Sequence, residues 1–173
     1  MEPPGALEHG IAPRPGLESP LFNRIDRIID WAVRANLSHV LTDCPHREKL
    51  GWLEVSYLMG PSLAGRYDIA PFYSKVSRDC VDSQKPDSLV PTVAPAYPVF
   101  SGGFAYTPEW GAAAVVIPWQ VHEWYGDRAV LSASYPTMKR FVDYLRQTST
   151  DLVPKAAACQ GTGRPRANPT ATR

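Results

Sequence analysis

The amino-acid sequence predicts an all-α fold, with helices joined as hairpins. Apolar residues recur at three- and four-residue spacing in several separate stretches. Ser, Asp or Pro stands where those stretches open, and nowhere do apolar and polar residues alternate convincingly as they would along a half-buried strand.

Residues 1–18 are rich in Pro and Gly without apolar periodicity and are expected to form an irregular leader. Ser19 stands at a capping position and Pro20 suits the first helical position. Leu21, Ile25, Ile28 and Ile29 then share one face, so the first helix is expected to run to about Ala35. A second helical region begins near Leu53 and is expected to break or kink at Gly60–Pro61, because proline removes a helical hydrogen bond. A third, from about Pro71 to Ser83, sets Phe72, Val76, Cys80 and Val81 on one side.

Residues 85–108 hold five prolines and the adjacent pair Gly102–Gly103, a long loop of the kind that tends to carry function. A strongly apolar helix is expected from about Glu109 to Tyr125, bent near Pro118. Asp127 and Pro136 each open a shorter helix, and Met138, Phe141, Val142 and Leu145 mark the inner stripe of the last one. From Pro154 to Arg173 there are four basic residues, no acidic ones and three prolines, with little that could enter a core. Residues 151–173 are therefore expected to be a disordered tail.

At 173 residues, with 44% hydrophobic and 20% charged side chains, the chain suits one soluble globular domain with a core of respectable size. A net charge of +1 gives no electrostatic ground for binding nucleic acid or an acidic membrane. With no apolar run of about 18 residues, no transmembrane helix is expected. The start, Met1–Glu2–Pro3–Pro4, lacks the basic and apolar regions of a secretory signal, so a cytoplasmic location is expected if that start is genuine. Cys44, Cys80 and Cys159 form an odd set without C-x-x-C spacing, which argues against a disulfide framework and a structural zinc site. Five Trp and eight Tyr are generous for this length, and serve either to stack on sugar rings or to pack the core.

One segment concentrates chemistry: Thr42-Asp43-Cys44-Pro45-His46-Arg47-Glu48-Lys49-Leu50-Gly51-Trp52-Leu53-Glu54. It lies between two expected helices, so its polar side chains occupy a hairpin end. Asp43 and Glu48 are two carboxylates five residues apart, Arg47 lies between them, and Trp52 follows Glu48 by four. Glycoside cleavage needs a carboxylic acid that donates to the leaving oxygen, fixed partners for ring hydroxyls and an aromatic wall. A second carboxylate and an apolar ring beside Glu48 would both favour its protonated form. A plainer reading has Asp43 capping the turn before Pro45, Arg47 and Glu48 as a solvated ion pair, and Trp52 in the core. His46 with Asp43 and Cys44 fits no usual metal-ligand spacing.

The string from Asp43 to Glu54 resembles the signature of bacterial α-L-rhamnosidases of glycoside hydrolase family 78. The likeness continues through Pro20–Ile25 and Trp31–Arg34 before it. After it come Val99–Phe104, Pro108–Gly111, Pro118–Trp119 and Trp124–Asp127, so that it covers roughly residues 19–147. The resemblance implies a partial (α/α)6 six-hairpin glycosidase toroid, with residues 19–150 as the N-terminal part of its catalytic domain. It implies Glu48 as general acid, Asp43 and Arg47 as binders of rhamnose hydroxyls, and Trp52 as an aromatic wall. Glu109 and Trp110 fall in a motif that faces the same pocket, or else serve as a helix-start carboxylate and a core indole. The substrate implied is a rhamnose-containing glycoside, hydrolysed with inversion and with no metal or organic cofactor.

Departures from the family pattern bear on specificity. A further Asp expected shortly after the Gly-Trp pair is Val55 here, with Glu54 one residue early, and Thr92 and Ala96 stand where acidic residues are expected. Each buried hydroxyl partner lost in this way costs about 1–3 kcal/mol of recognition. An inverting mechanism also needs a base about 6.5–9.5 Å from the acid. In the family that base lies well downstream, beyond the point near Leu145 where the resemblance stops, so truncation or a frameshift near Thr150 is the favoured origin of the tail. On this reading the chain itself does not turn over, and helix faces left open would drive association with another chain. The alternatives are a remnant that binds sugar without hydrolysis, through Asp43, Arg47 and Trp52, and a non-enzymatic helical interaction domain.

Overall fold

The computed structural model describes residues 19–98, 100–151 and 153–154. The expected leader, 1–18, and most of the expected tail, 151–173, lie outside the described residues. Helices α1 (Pro20–Asn36), α2 (Leu53–Ala64), α3 (Ala70–Ser83), α4 (Pro108–Gly111), α5 (Ala113–Tyr125) and α6 (Arg128–Thr148) follow in order, with a 3-10 turn at Gly102–Phe104. The chain then forms one antiparallel pair, β1 (Ser149–Thr150) with β2 (Val153–Pro154). These strands were not expected, and at two residues each they are too short to alternate.

Helix α5 is the centre of the packing, lying against α2, α3 and α6. It is apolar nearly all round, and Ala113, Ala114, Ile117 and Val121 are almost wholly inaccessible. Around them sit Leu53 and Leu63 of α2, Tyr73, Val76 and Cys80 of α3, and Phe141 of α6. Small residues set the spacing. A Cβ on Gly111 would come within 2.6 Å of the Phe141 ring, so the α4–α5 junction approaches α6 only as glycine. The buried face of α3 is Tyr73, Val76, Ser77 and Cys80, turned slightly from the expected stripe, with Phe72 and Val81 half-buried.

Three expectations about helix bounds near prolines are corrected. Pro61 lies inside α2 without breaking it. It has no N–H to give to the carbonyl four residues back, and Gln120 of α5 supplies the missing donor, its Nε2–H reaching Tyr57 O at 3.1 Å. Pro136 likewise lies within a single 21-residue helix, α6, rather than opening a second one. Ser132 and Pro136 are both exposed, so the carbonyl it leaves without a partner has access to water. The helix expected from Glu109 is in fact two, α4 and α5, separated at Ala112, and Pro118 sits within α5.

The α5–α6 hairpin is closed by local chemistry legible in the sequence. Gly126 adopts φ +70°, the left-handed conformation that ends α5, and donates its N–H to His122 O at 2.8 Å. Asp127 caps α6 by accepting from the N–H groups of Ala129 at 2.8 Å and Val130 at 3.1 Å. Ser19, expected to cap α1, makes no side-chain cap.

Helix α1 is attached differently from the rest. Val33 is its one buried residue, and Asp26 and Asp30 pair with Arg66 and the Tyr67 hydroxyl beyond the end of α2. Leu21, Phe22, Ile25, Ile28, Ile29 and Trp31 are all exposed. Among the described residues no helix is long and apolar enough to cross a membrane.

Candidate active site

The segment between α1 and α2 is held at both ends. At its start, Thr42 donates from its backbone N–H to Asn36 O at 3.0 Å and from Oγ1 to Asn36 Oδ1 at 2.8 Å. At its end Gly51 is buried against Val40, where a Cβ would meet the valine at 2.7 Å. Lys49 takes φ +56° to reverse the chain, and its carbonyl accepts from the Tyr97 hydroxyl at 2.9 Å. Trp52 then stands at the N-cap of α2, bridged to Val93, and Leu53 N–H donates to Thr92 O at 3.0 Å.

Between these anchors the loop is pinned by its own side chains. Asp43 Oδ1 accepts from Cys44 N–H at 2.8 Å and from the Cys44 thiol at 3.4 Å, while Glu48 N–H donates to Cys44 Sγ at 3.3 Å. One oxygen of Asp43, the Cys44 sulfur and one oxygen of Glu48 lie within 4.8 Å of one another. These atoms could in principle hold a cation, in a combination that substitutes Glu48 for the His46 weighed from the sequence. The thiol is engaged with Asp43 and with the Glu48 backbone, whereas a metal requires the thiolate.

Trp52 joins this loop to the long loop and to α4. Its Nε1–H donates to Glu48 Oε2 at 3.2 Å. Its ring stacks on Phe100 at 5.3 Å between centroids and 20° between planes, and meets Trp110 edge-on at 6.3 Å and Phe104 at 6.4 Å. The plainer sequence reading is therefore half met. Asp43 does hold the turn before Pro45, but Glu48 pairs with Trp52 instead of Arg47. Arg47 is exposed and has no ion-pair or hydrogen-bond partner among the described residues.

Asp43, Glu48, Trp52 and Trp110 thus lie together, with Asp43, Glu48 and Arg47 open to solvent and both indoles half-buried. Glu109 is exposed at the first turn of α4. Burial pushes the Tyr57 phenol up, and the carboxylates of Glu54 and Glu109 push it further, so both carboxylates act on one hydroxyl. Of the positions where an acidic residue was expected, Val55 packs against the core and Thr92 is buried, donating from Oγ1 to Phe104 O at 2.8 Å. Ala96 is half-buried.

Sequence reasoning missed Phe100 and Phe104 as partners of Trp52, and Tyr57 as a phenol on which two carboxylates act. The two phenylalanines flank Ser101-Gly102-Gly103, where Gly102 adopts φ +66°; that glycine pair was the available signal.

The family described as the bacterial alpha-L-rhamnosidase 6 hairpin glycosidase domain matches residues 17–162. An α-L-rhamnosidase of Streptomyces avermitilis is 35% identical over 135 residues, 78% of this chain and 13% of that protein. One from Formosa agariphila is 30% identical over 133 residues, 76% of this chain and 14% of that protein. A crystal structure of the Streptomyces avermitilis α-L-rhamnosidase complexed with L-rhamnose matches with a TM-score of 0.71 at 33% identity, covering 78% of this chain and 13% of that one. The structure of α-L-rhamnosidase from Dictyoglumus thermophilum gives a TM-score of 0.71 at 29% identity, over 80% of this chain and 15% of that one. The chain therefore spans about one-seventh of the length of these relatives. On its helices, its hairpins and the residues matched, the chain belongs to the bacterial α-L-rhamnosidase six-hairpin glycosidase domain family.

Proposed function

We propose that this chain carries the acid-bearing part of an α-L-rhamnosidase catalytic domain, acting on terminal α-L-rhamnose with inversion, and that Glu48 is the proton donor. The observation that carries the reading is the Trp52 Nε1–H bond to Glu48 Oε2. The bond orients the Glu48 carboxyl beside the aromatic wall, and the side chain is exposed, so as general acid it can present a proton to the leaving oxygen. As the bond from the anomeric carbon to the leaving oxygen breaks, that proton passes to the oxygen. Water then attacks the opposite face of the sugar and gives its proton to a base.

Asp43 does not suit the part of that base. Its carboxylate lies within 4.8 Å of Glu48, nearer than the 6.5–9.5 Å that leaves room for a water. It serves instead with Arg47 as a partner for sugar hydroxyls, and Arg47 is unengaged and available for that task. Trp52, backed by Phe100 and Trp110, supplies the wall against which an apolar sugar face rests. Glu109, whose carboxylate acts with that of Glu54 on the Tyr57 phenol, is a further candidate partner for sugar hydroxyls. The base comes from residues outside those named here.

Calorimetry and an assay on a chromogenic rhamnoside test this division. The chain is expected to bind L-rhamnose, to lose that binding in Asp43→Ala and Trp52→Ala, and to release no chromophore in a Glu48-dependent way. Robust Glu48-dependent release would show that the base is already present in this chain, and an absence of binding would remove the sugar site.

A further inference from the structure

The Cys44 side chain has no task in the proposed function, yet it bonds to both carboxylate residues of the candidate site. Its thiol donates to Asp43 Oδ1 at 3.4 Å, and its sulfur accepts from the Glu48 backbone N–H at 3.3 Å. Its own N–H donates to the same Asp43 oxygen at 2.8 Å, and its carbonyl accepts from Lys49 N–H at 3.3 Å. The sulfur and the carbonyl of one residue thus take the consecutive N–H groups of Glu48 and Lys49. They close the turn at residues 45–48, which carries Arg47. Both donors of Cys44 go to Oδ1, which leaves Oδ2 of Asp43 to accept from a ligand.

We propose that Cys44 is a positioning residue, whose thiol sets where the Asp43 carboxylate stands relative to Glu48. Its bearing on sugar binding rests on the roles proposed above for Asp43 and Glu48. Both of those residues are exposed, so hydrogen bonds rather than packing decide where their carboxylates stand. Trp52 holds Glu48 by its carboxyl, and Cys44 holds it by its backbone, so the acid is fixed from two directions. Sulfur suits this task. Hydrogen bonds to oxygen span about 2.5–3.2 Å, so contacts at 3.3 and 3.4 Å fit a larger, polarisable atom. A serine oxygen, on its shorter bond to Cβ, would fall short of one or both.

Infrared difference spectra of the full chain test the geometry without sugar. Subtracting the Cys44→Ser spectrum isolates the Cys44 S–H stretch from those of Cys80 and Cys159. The expected band is lowered in frequency by donation to a carboxylate, and it should move up in an Asp43→Ala background isolated in the same way. Hydrogen exchange of the Glu48 amide should quicken by about tenfold in Cys44→Ala. Calorimetry then reads the consequence. L-rhamnose affinity should fall by about tenfold in Cys44→Ala and recover in part in Cys44→Ser, with the helical circular dichroism unchanged. A band indifferent to Asp43→Ala would overturn the inference, as would a Cys44→Ala chain that binds rhamnose like the wild type. A wild-type chain that binds no rhamnose but shows the responsive band would remove the sugar site and still support the hold of Cys44 on Asp43. Should Cys44→Ala lose its fold, the band alone decides.

Discussion

Trp52 donates its indole N–H to Glu48 Oε2 at 3.2 Å while its ring stacks on Phe100 at 5.3 Å, so one side chain sets both the carboxyl and the aromatic wall beside it. The two roles are separable. Trp52→Phe keeps a ring and removes the donor, and should leave the fold intact while weakening L-rhamnose binding about three- to tenfold, consistent with one hydrogen bond of about 1 kcal/mol. Trp52→Ala, which removes the wall as well, should abolish measurable binding. Equal effects of the two substitutions in calorimetry would mean that the ring adds nothing beyond the indole N–H, and an unchanged affinity in Trp52→Phe that the N–H contributes nothing.

Gly51→Ala is expected to destabilise the protein by about 1–3 kcal/mol, because its Cβ would stand 2.7 Å from Val40 Cβ. The double variant with Val40→Ala should recover much of that loss. Denaturant titration of the two single variants and the double one measures the coupling, and purely additive effects would contradict the close approach.

The carbonyl of Tyr57 depends on Gln120 because Pro61 cannot serve it. Gln120→Met should therefore cost about 1–3 kcal/mol for a buried acceptor left unpaired. In a Pro61→Ala background, where residue 61 regains an N–H, the same change should cost clearly less. Thermal unfolding across this double-mutant cycle checks it.

Burial, and then its hydrogen bond to Asp30, push the Tyr67 hydroxyl up from 10.0 to about 12. The neutral phenol is the form favoured by folding, so this stability is fully present below pH 10 and is lost as pH rises toward 12. Tyr67→Phe should be less stable than the parent at neutral pH and should show a shallower decline across that window. Equilibrium unfolding at stepped alkaline pH reads both effects.

Thiol labelling should separate two cysteines. Cys80 is buried in the core and its thiol is pushed up to about 12 by burial and then by Asp79, whereas Cys44 is half-exposed in the candidate site. At pH 8 a thiol reagent should modify Cys44 in the native protein and reach Cys80 only on unfolding. Mass spectrometry of the labelled peptides decides it, and rapid native labelling of Cys80 would contradict the packing of α3 against α5.

What the sequence disclosed, and what it withheld, divides along physical lines. The ends of α1 and α3 were legible from apolar periodicity and a proline in the first turn, and the Gly126–Asp127 hairpin from a local cap. Pro61 and Pro136 misled because the rescue of a proline carbonyl is not local. Gln120 lies on another helix, and Pro136 relies on solvent exposure. At the candidate site the loop from Asp43 to Trp52 was legible as one contiguous string. Phe100, Phe104 and Tyr57 were not, since their partnership with Trp52 and the two glutamates arises only when three separate segments fold together. Thr92 and Val55 show the converse, since positions read as lost sugar contacts are structural, one bonded to Phe104 O and one packed on the core.

Leaving-group dependence is the most direct test of Glu48 as proton donor. Residues 20–148 would replace the matching stretch of the Streptomyces avermitilis relative, and hydrolysis of two rhamnosides would be compared for that chimera and its Glu48→Gln variant. With an alkyl aglycone, which needs protonation to depart, the variant should lose about 10²–10⁴-fold in rate. With a dinitrophenyl aglycone, which departs as a stable anion, it should lose far less. An equal loss on both substrates, or none on either, would contradict the assignment.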